Sequence, residues 1–327
     1  MGIRIAGTGM FVPERILNNA DLEKMVDTSD EWIISRTGIK ERRIADADMA
    51  TSDLAYHAAR RALDMAGTAP EELDLIIVAT VTPDKMFPNT ACLLQAKLGA
   101  GPCMSFDIEA ACSGLLYAID IAHALLKARP SYRRALVIGG EKLSAFTDWS
   151  DRNTCVLFGD GAGAVVLAQG DDIDGDFYLA SKLSADGRYA DILQIPAGGS
   201  ALPTSAATVA ERQHYIRMGG SKTFQMAVAL MANTCSELLQ QTGTTTEQVR
   251  WLIPHQANER ILTAVATRLN MLDRVYVNIG RYGNTSAATI GIALDEVNRA
   301  GEIKRGDLLL LTAFGGGLTW ATQLLRW

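Results

Sequence analysis

One strand, helix, strand series occurs twice in this chain. MSFDIE, GLLYAIDIAHALLKA and RALVIGG are echoed by VYVNIG, SAATIGIALDEVNRAG and DLLLLTAFGGG, which sets Leu136 against Leu309 at an offset of 173 residues. Upstream, ELDLIIVAT resembles QVRWLIPHQ and sets Leu73 against Val249 at an offset of 176. Two separate segments agreeing on nearly one offset argue for duplication over a shared α/β rhythm. A pseudo-twofold pair of halves follows. The polar stretch AQGDDIDGD interrupts both strand and helix patterns, so the join is expected there, giving halves 1–172 and 173–327.

Within the halves, short β-branched or leucine-rich runs alternate with helical patterns, which predicts an α/β fold with largely buried strands. Asn19 and Ser29 stand where N-caps belong, and Gly38 is placed to end the second helix. Phe224, Val228, Met231, Cys235 and Leu238 recur at helical spacing between Ser221 and Gly243, so that helix faces a core and Cys235 is packing.

The composition excludes several classes. With 48% apolar and 21% charged residues in 327, the chain can bury a large core and is neither disordered nor a disulfide-stapled miniprotein. Its net charge of −6 gives no global pull toward nucleic acid or an anionic membrane, so any anion site must be a local patch. Five cysteines without a CxxC pair, and a start (MGIRIAGTGM) lacking a signal peptide's apolar core, point to the cytoplasm. Runs such as LLLLTAF fall short of a membrane span.

Ligands in open α/β sheets bind beyond the carboxyl ends of strands, so the strand-end turns are the places to look for chemistry. Cys112, in AACSG, follows strand MSFDIE and precedes a long helix, where unpaired N–H groups and the positive dipole end favour a thiolate. The opposing reading is a buried cysteine acting as a small hydrophobe. Cys92 and Cys155 fall inside helix and strand patterns and Cys103 opens a strand, so these read as core. Of four histidines only His255 occupies a strand-end turn, in HQANERI. Asn284, in RYGNTSA, is set in the turn of the second half that matches Cys112. Each polar turn residue alone is ordinarily a cap, and what distinguishes these is their coincidence with Cys112. A papain-like hydrolase also uses Cys, His and Asn, but its local sequence around the cysteine is absent.

Two glycine clusters remain. GDGAGAVVL, residues 159–167, runs into a strand where a phosphate loop needs a helix, so nucleotide binding is rejected. FGGGLTW, residues 314–320, links two apolar strands; its glycines either relieve crowding or let a backbone N–H reach a reacting oxygen. No close His, Cys and carboxylate cluster suggests a metal.

With AACSG, HQANERI, GNTSA and FGGGLTW in this order, together with DTSDEWIISRTGIKERR and FGDGAGA, the sequence resembles β-ketoacyl-acyl carrier protein synthase III of the thiolase superfamily, from GTGMFVPE to the last residue. The resemblance implies a five-layered α/β/α/β/α fold of two duplicated halves, usually a homodimer. It implies that Cys112 accepts the acyl group, that His255 and Asn284 serve decarboxylation, and that the N–H groups of Cys112 and Gly316 form an oxyanion hole. Trp32 and Arg36 would hold coenzyme A, with Arg152 across the adenine; a surface cation–π pair is the plain alternative. Gly220 and Asn258 would line the pantetheine channel, Phe87 would close the acyl pocket, and Arg260 would dock the acidic carrier protein. MGG at 218–220 departs from the family, where Asn is common in the middle. The implied reaction joins a short acyl-CoA to malonyl-acyl carrier protein, with no metal or redox cofactor. A related enzyme of secondary metabolism with another acceptor, a silent scaffold and a thioester hydrolase are the alternatives.

Overall fold

A computed structural model describes residues 2–327. Its first sheet orders Gly2–Phe11, Gly161–Gly170, Arg134–Glu141, Leu75–Ala79 and Met104–Ile108, with two antiparallel junctions followed by two parallel ones. The second orders Tyr178–Ala185, Thr319–Arg326, Leu308–Gly315 and Val249–Pro254, antiparallel twice and then parallel. The second sheet thus repeats the first, one strand short. In the first ladder Leu136 pairs with Ile76, and in the second Leu309 pairs with Trp251, so the equivalences run at 173 and 175 residues.

The missing strand is VYVNIG. It keeps a single parallel bridge, Leu252 to Val275, where the first sheet carries a full fifth strand. The reason is Gln256: its side chain donates to the Tyr276 carbonyl at 3.0 Å and accepts from the Asn278 and Ile279 N–H groups at 2.9 and 3.2 Å. Those backbone groups are therefore satisfied away from a ladder.

Strand periodicity sorts the cores. Leu75, Ile77 and Ala79 point into one apolar cluster with Ala135, Val137 and Leu309, whereas Ile76 and Val78 point the other way, with Leu136 and Ile138. Both faces are apolar because both are covered. Helices Thr51–Ala66 and Thr90–Leu98 cover the outside of the first sheet, and Gly220–Thr242 and Glu259–Arg268 the outside of the second. Gly114–Ala128 and Thr289–Arg299 lie between the sheets. These are the five layers α/β/α/β/α. The segment Ala111–Ala128 has the length and apolarity of a membrane span, which its place between two sheets explains.

The glycines of GDGAGAVVL serve this packing. A Cβ on Gly163 would lie 2.4 Å from the Gly291 carbonyl carbon, so only glycine lets the Thr289–Arg299 helix seat on the strand. Ser29 caps its helix through the Trp32 N–H, and Gly38 ends it at φ 77°. The first cap is Asn18, not Asn19, and its helix is only Asn19–Leu22. Asn19 is instead buried, donating to Asp30 and the Ile39 carbonyl and accepting from Arg42. Cys155 lies in a short helix and not a strand, and Cys92 is exposed.

Candidate active site

Two matching turns form the floor of the site. Ala111–Ser113 leads into Gly114–Ala128, and Ser286–Ala288 leads into Thr289–Arg299. Each opens on a non-glycine residue at positive φ, Ala111 at 45° and Ser286 at 47°, a conformation that costs energy and recurs at functional sites. The turns are 175 residues apart, so Cys112 corresponds to Ala287 and Asn284 to Glu109. Asn284 lies two residues ahead of the Ser286–Ala288 turn, in the loop that leads into it. The residue matching Cys112 is thus an alanine, packed against the Gly139 backbone.

Cys112 is 8% exposed and sits where two cavities meet. One, of about 400 Å³, brings Cys112, His255 and Asn284 together with Trp32, Arg36, Gly220 and Asn258. The other, of about 660 Å³, runs from Cys112, Ser286 and Gly316 past Val81, Ile108 and Ile216. Burial pushes the Cys112 thiol up to about 12, opposed by a Ser286 hydrogen bond and its own backbone N–H and reinforced by Glu141 and Glu109. The resting group is thus a thiol, where the helix-start argument favoured a thiolate; desolvation outweighs the turn's dipoles.

His255 is 1% exposed, and burial depresses it to about 3, so the ring is neutral at pH 7. Its backbone N–H donates to Thr312, at 2.8 Å, and its Nδ1 lies 2.7 Å from Thr289 Oγ1. Asn284 is held through its backbone by Leu157 and Gly159, at 2.8 and 3.1 Å, while its Oδ1 accepts from the Ser286 N–H at 2.8 Å. That bond orients the amide and leaves Nδ2 as its donor. A Cβ on Gly315 would lie 2.6 Å from the Cys112 nitrogen, so glycine here lets the end of strand Leu308–Gly315 press against the Cys112 turn.

The remaining expected residues divide. Asn258 caps its helix through the Arg260 N–H and donates to the Arg36 carbonyl, tying the Trp32 helix to the site. Arg36 and Arg152 both lie over Trp32, at 6.0 and 4.1 Å from the ring centroid. Arg260 is exposed and lies over the ring of Phe224, itself a lining residue of the smaller cavity, at 5.5 Å. Phe87 does not line its own chain's cavity and is 85% exposed.

Sequence reasoning missed Glu141, Ser286 and Thr289. Glu141 is fully buried, accepting from Thr82, Thr80 and the Val81 N–H at 2.7, 3.1 and 3.1 Å, and burial raises it to about 7. A lone carboxylate ending the apolar strand RALVIGGE was the available signal.

Comparison with known proteins shows the family. Residues 106–187 match the family model 3-Oxoacyl-[acyl-carrier-protein (ACP)] synthase III, and 239–327 match that of its C terminal. Beta-ketoacyl-[acyl-carrier-protein] synthase III of Caldanaerobacter subterraneus subsp. tengcongensis is 54% identical over 99% of this chain and 97% of its own. The chain belongs to the β-ketoacyl-acyl carrier protein synthase III family. The crystal structure of the Aquifex aeolicus synthase III superposes with a TM-score of 0.91 at 50% identity, covering both chains in full. The priming β-ketosynthase of the R1128 polyketide pathway gives 0.90 at 32% identity, over 99% of this chain and 96% of its own. Higher identity to synthase III relatives favours that reading over secondary metabolism. As a synthase III, the protein is a condensing acyltransferase with a thiolase fold.

Proposed function

We propose that this synthase III transfers a short acyl group, acetyl foremost, from coenzyme A to Cys112 and then condenses it with malonyl-acyl carrier protein, initiating type II fatty acid synthesis. One observation carries the reading: Cys112, His255 and Asn284 line one cavity together with Trp32 and Arg36. In the first half-reaction the Cys112 sulfur attacks the thioester carbon as its proton passes to His255 Nε2. The oxyanion is met by the N–H groups of Cys112 and Gly316, each worth about 3 to 4 kcal/mol. Collapse expels coenzyme A, whose sulfur takes the proton back.

In the second half-reaction His255 and Asn284 donate to the thioester oxygen of the malonyl group. Loss of carbon dioxide then leaves an enolate, which attacks the acyl-Cys112 carbonyl; the Cys112–acyl bond breaks, 3-oxoacyl-carrier protein departs, and the released Cys112 thiolate takes a proton from water. Thiol, imidazole, amide and backbone groups carry every step, and none calls for a metal or a redox cofactor.

The larger cavity takes the acyl chain. Its outer end adjoins Lys85 and Met86, and the exposed Met86 and Phe87 together with the unpaired edge of strand Met104–Ile108 support a homodimer in which Phe87 reaches the partner's acyl cavity. Arg260, exposed over the cavity-lining Phe224, suits docking of an acidic carrier. Halves 1–172 and 173–327 are the proposed units, since the chain passes from one sheet to the other between Gly170 and Tyr178. We place the enzyme in the cytoplasm, in keeping with five free cysteines. Incubation with acetyl-CoA and malonyl-carrier protein tests the reading: the carrier should gain the mass of a 3-oxobutanoyl group in place of malonyl, and a carrier returned only as malonyl or acetyl would sink it.

A further inference from the structure

Thr289 Oγ1 lies 2.7 Å from His255 Nδ1 and 3.1 Å from the Ser286 carbonyl oxygen. A hydroxyl has one proton and cannot donate to both. Turned to Ser286, it accepts from Nδ1–H, and the neutral ring then carries its lone pair on Nε2. Turned to Nδ1, it donates there, and the ring carries its proton on Nε2. Burial keeps the ring uncharged, so the tautomer is the variable, and the partner of one ring nitrogen sets the state of the other.

The two half-reactions need opposite forms. Cys112 rests as a thiol, so acylation needs a lone pair on Nε2 to take its proton. Condensation needs a proton on Nε2 to meet the malonyl oxygen. We propose that Thr289 is a positioning residue that selects the His255 tautomer, its hydroxyl turning from the Ser286 carbonyl during acylation to His255 Nδ1 during condensation. The proposal rests on the roles given to His255 above. Protons balance: acylation borrows one at Nε2 and returns it to coenzyme A, the change of tautomer takes one from water at Nε2 and returns the Nδ1 proton to water, and the Cys112 thiolate released by condensation takes one from water to regenerate the resting thiol.

The test is ring-nitrogen NMR of protein labelled with ¹⁵N-histidine, with the His255 signals identified by their loss in His255→Ala. Resting wild type and Thr289→Ser should show Nδ1 protonated. Thr289→Val, which keeps the shape and removes the hydroxyl, should move the proton to Nε2, slow acylation by acetyl-CoA about 100-fold, and leave malonyl decarboxylation within about 3-fold. Thr289→Ser should restore acylation. A Thr289→Val protein with the wild-type tautomer and unchanged acylation overturns the proposal. If that variant fails to fold, wild type decides: the Cys112 acyl-enzyme holding an unreactive malonyl-thioester analogue should show Nε2 protonated, and an unchanged tautomer overturns the proposal. His255→Ala retaining both half-reactions would instead bring down the underlying reading.

Discussion

The Arg152 guanidinium lies over the Trp32 ring, 4.1 Å from its centroid. A flat ring between them needs roughly 7 Å, two contact layers of about 3.5 Å. An adenine stacked on Trp32 would therefore require Arg152 to swing out, and its side chain is 38% exposed, with a long 4.0 Å ion pair to Asp27 besides the Trp32 ring. Trp32→Ala should raise KM for acetyl-CoA about tenfold with the acylation kcat nearly unchanged, because the contact is remote from the reacting atoms. Unchanged KM would remove Trp32 from the coenzyme site.

Cys112 and Asn284 should separate the half-reactions. Cys112→Ala abolishes the mass increase after acetyl-CoA treatment. Asn284→Ala still takes up the acyl label, while malonyl decarboxylation falls about 100- to 1,000-fold, the usual cost of losing one oxyanion donor. Label appearing on Cys92 or Cys103, or equal loss of both activities in Asn284→Ala, contradicts the assignment.

Phe87 tests dimer and pocket together. If its ring enters the partner's cavity, wild type should acylate with acetyl-CoA faster than with decanoyl-CoA, and Phe87→Ala should narrow or reverse that preference. Phe87→Asp should shift sedimentation toward the monomer. A preference indifferent to both changes leaves Phe87 a mere surface residue.

Glu141 gives a pH prediction. Burial raises it from 4.5 to about 7, so the folded state holds its proton more tightly than the unfolded chain does. The stability this confers is complete below pH 4.5 and lost as pH rises through about 7, on the order of 3 kcal/mol. Glu141→Gln removes that titration. Its Tm deficit against wild type should shrink between pH 5 and pH 8 in thermal melts, and parallel curves would show that Glu141 does not titrate in this range.

Arg260→Glu addresses carrier docking. At low salt it should raise KM for malonyl-carrier protein and weaken its salt dependence, while acylation by acetyl-CoA stays within twofold. Malonyl-carrier turnover untouched at low salt would move the docking role to another patch.

What could be read from the sequence was local. A cysteine between an apolar strand and a long helix, a histidine closing WLIP and a glycine run between two apolar strands announce strand-end turns, because turn chemistry and period-2 burial are written within a few residues. The repeat was legible for the same reason, since the strand alternation that fills three cores is carried by each strand alone. Tertiary structure decided what depends on partners far along the chain. VYVNIG has the composition of a strand, yet Gln256, twenty residues before Tyr276, takes its backbone groups. Arg42 stands between Glu41 and Arg43 in the sequence, but is wholly buried and donates to the Val156 carbonyl, 114 residues away, in the segment whose Leu157 and Gly159 hold Asn284. The tautomer contact of His255 with Thr289 spans 34 residues, and the neutral thiol of Cys112 follows from burial by both halves. Local pattern determines which residues can turn, pair or cap. Desolvation and long-range hydrogen bonds exist only once the layers have closed, and they set the charge state in which Cys112, His255 and Glu141 work.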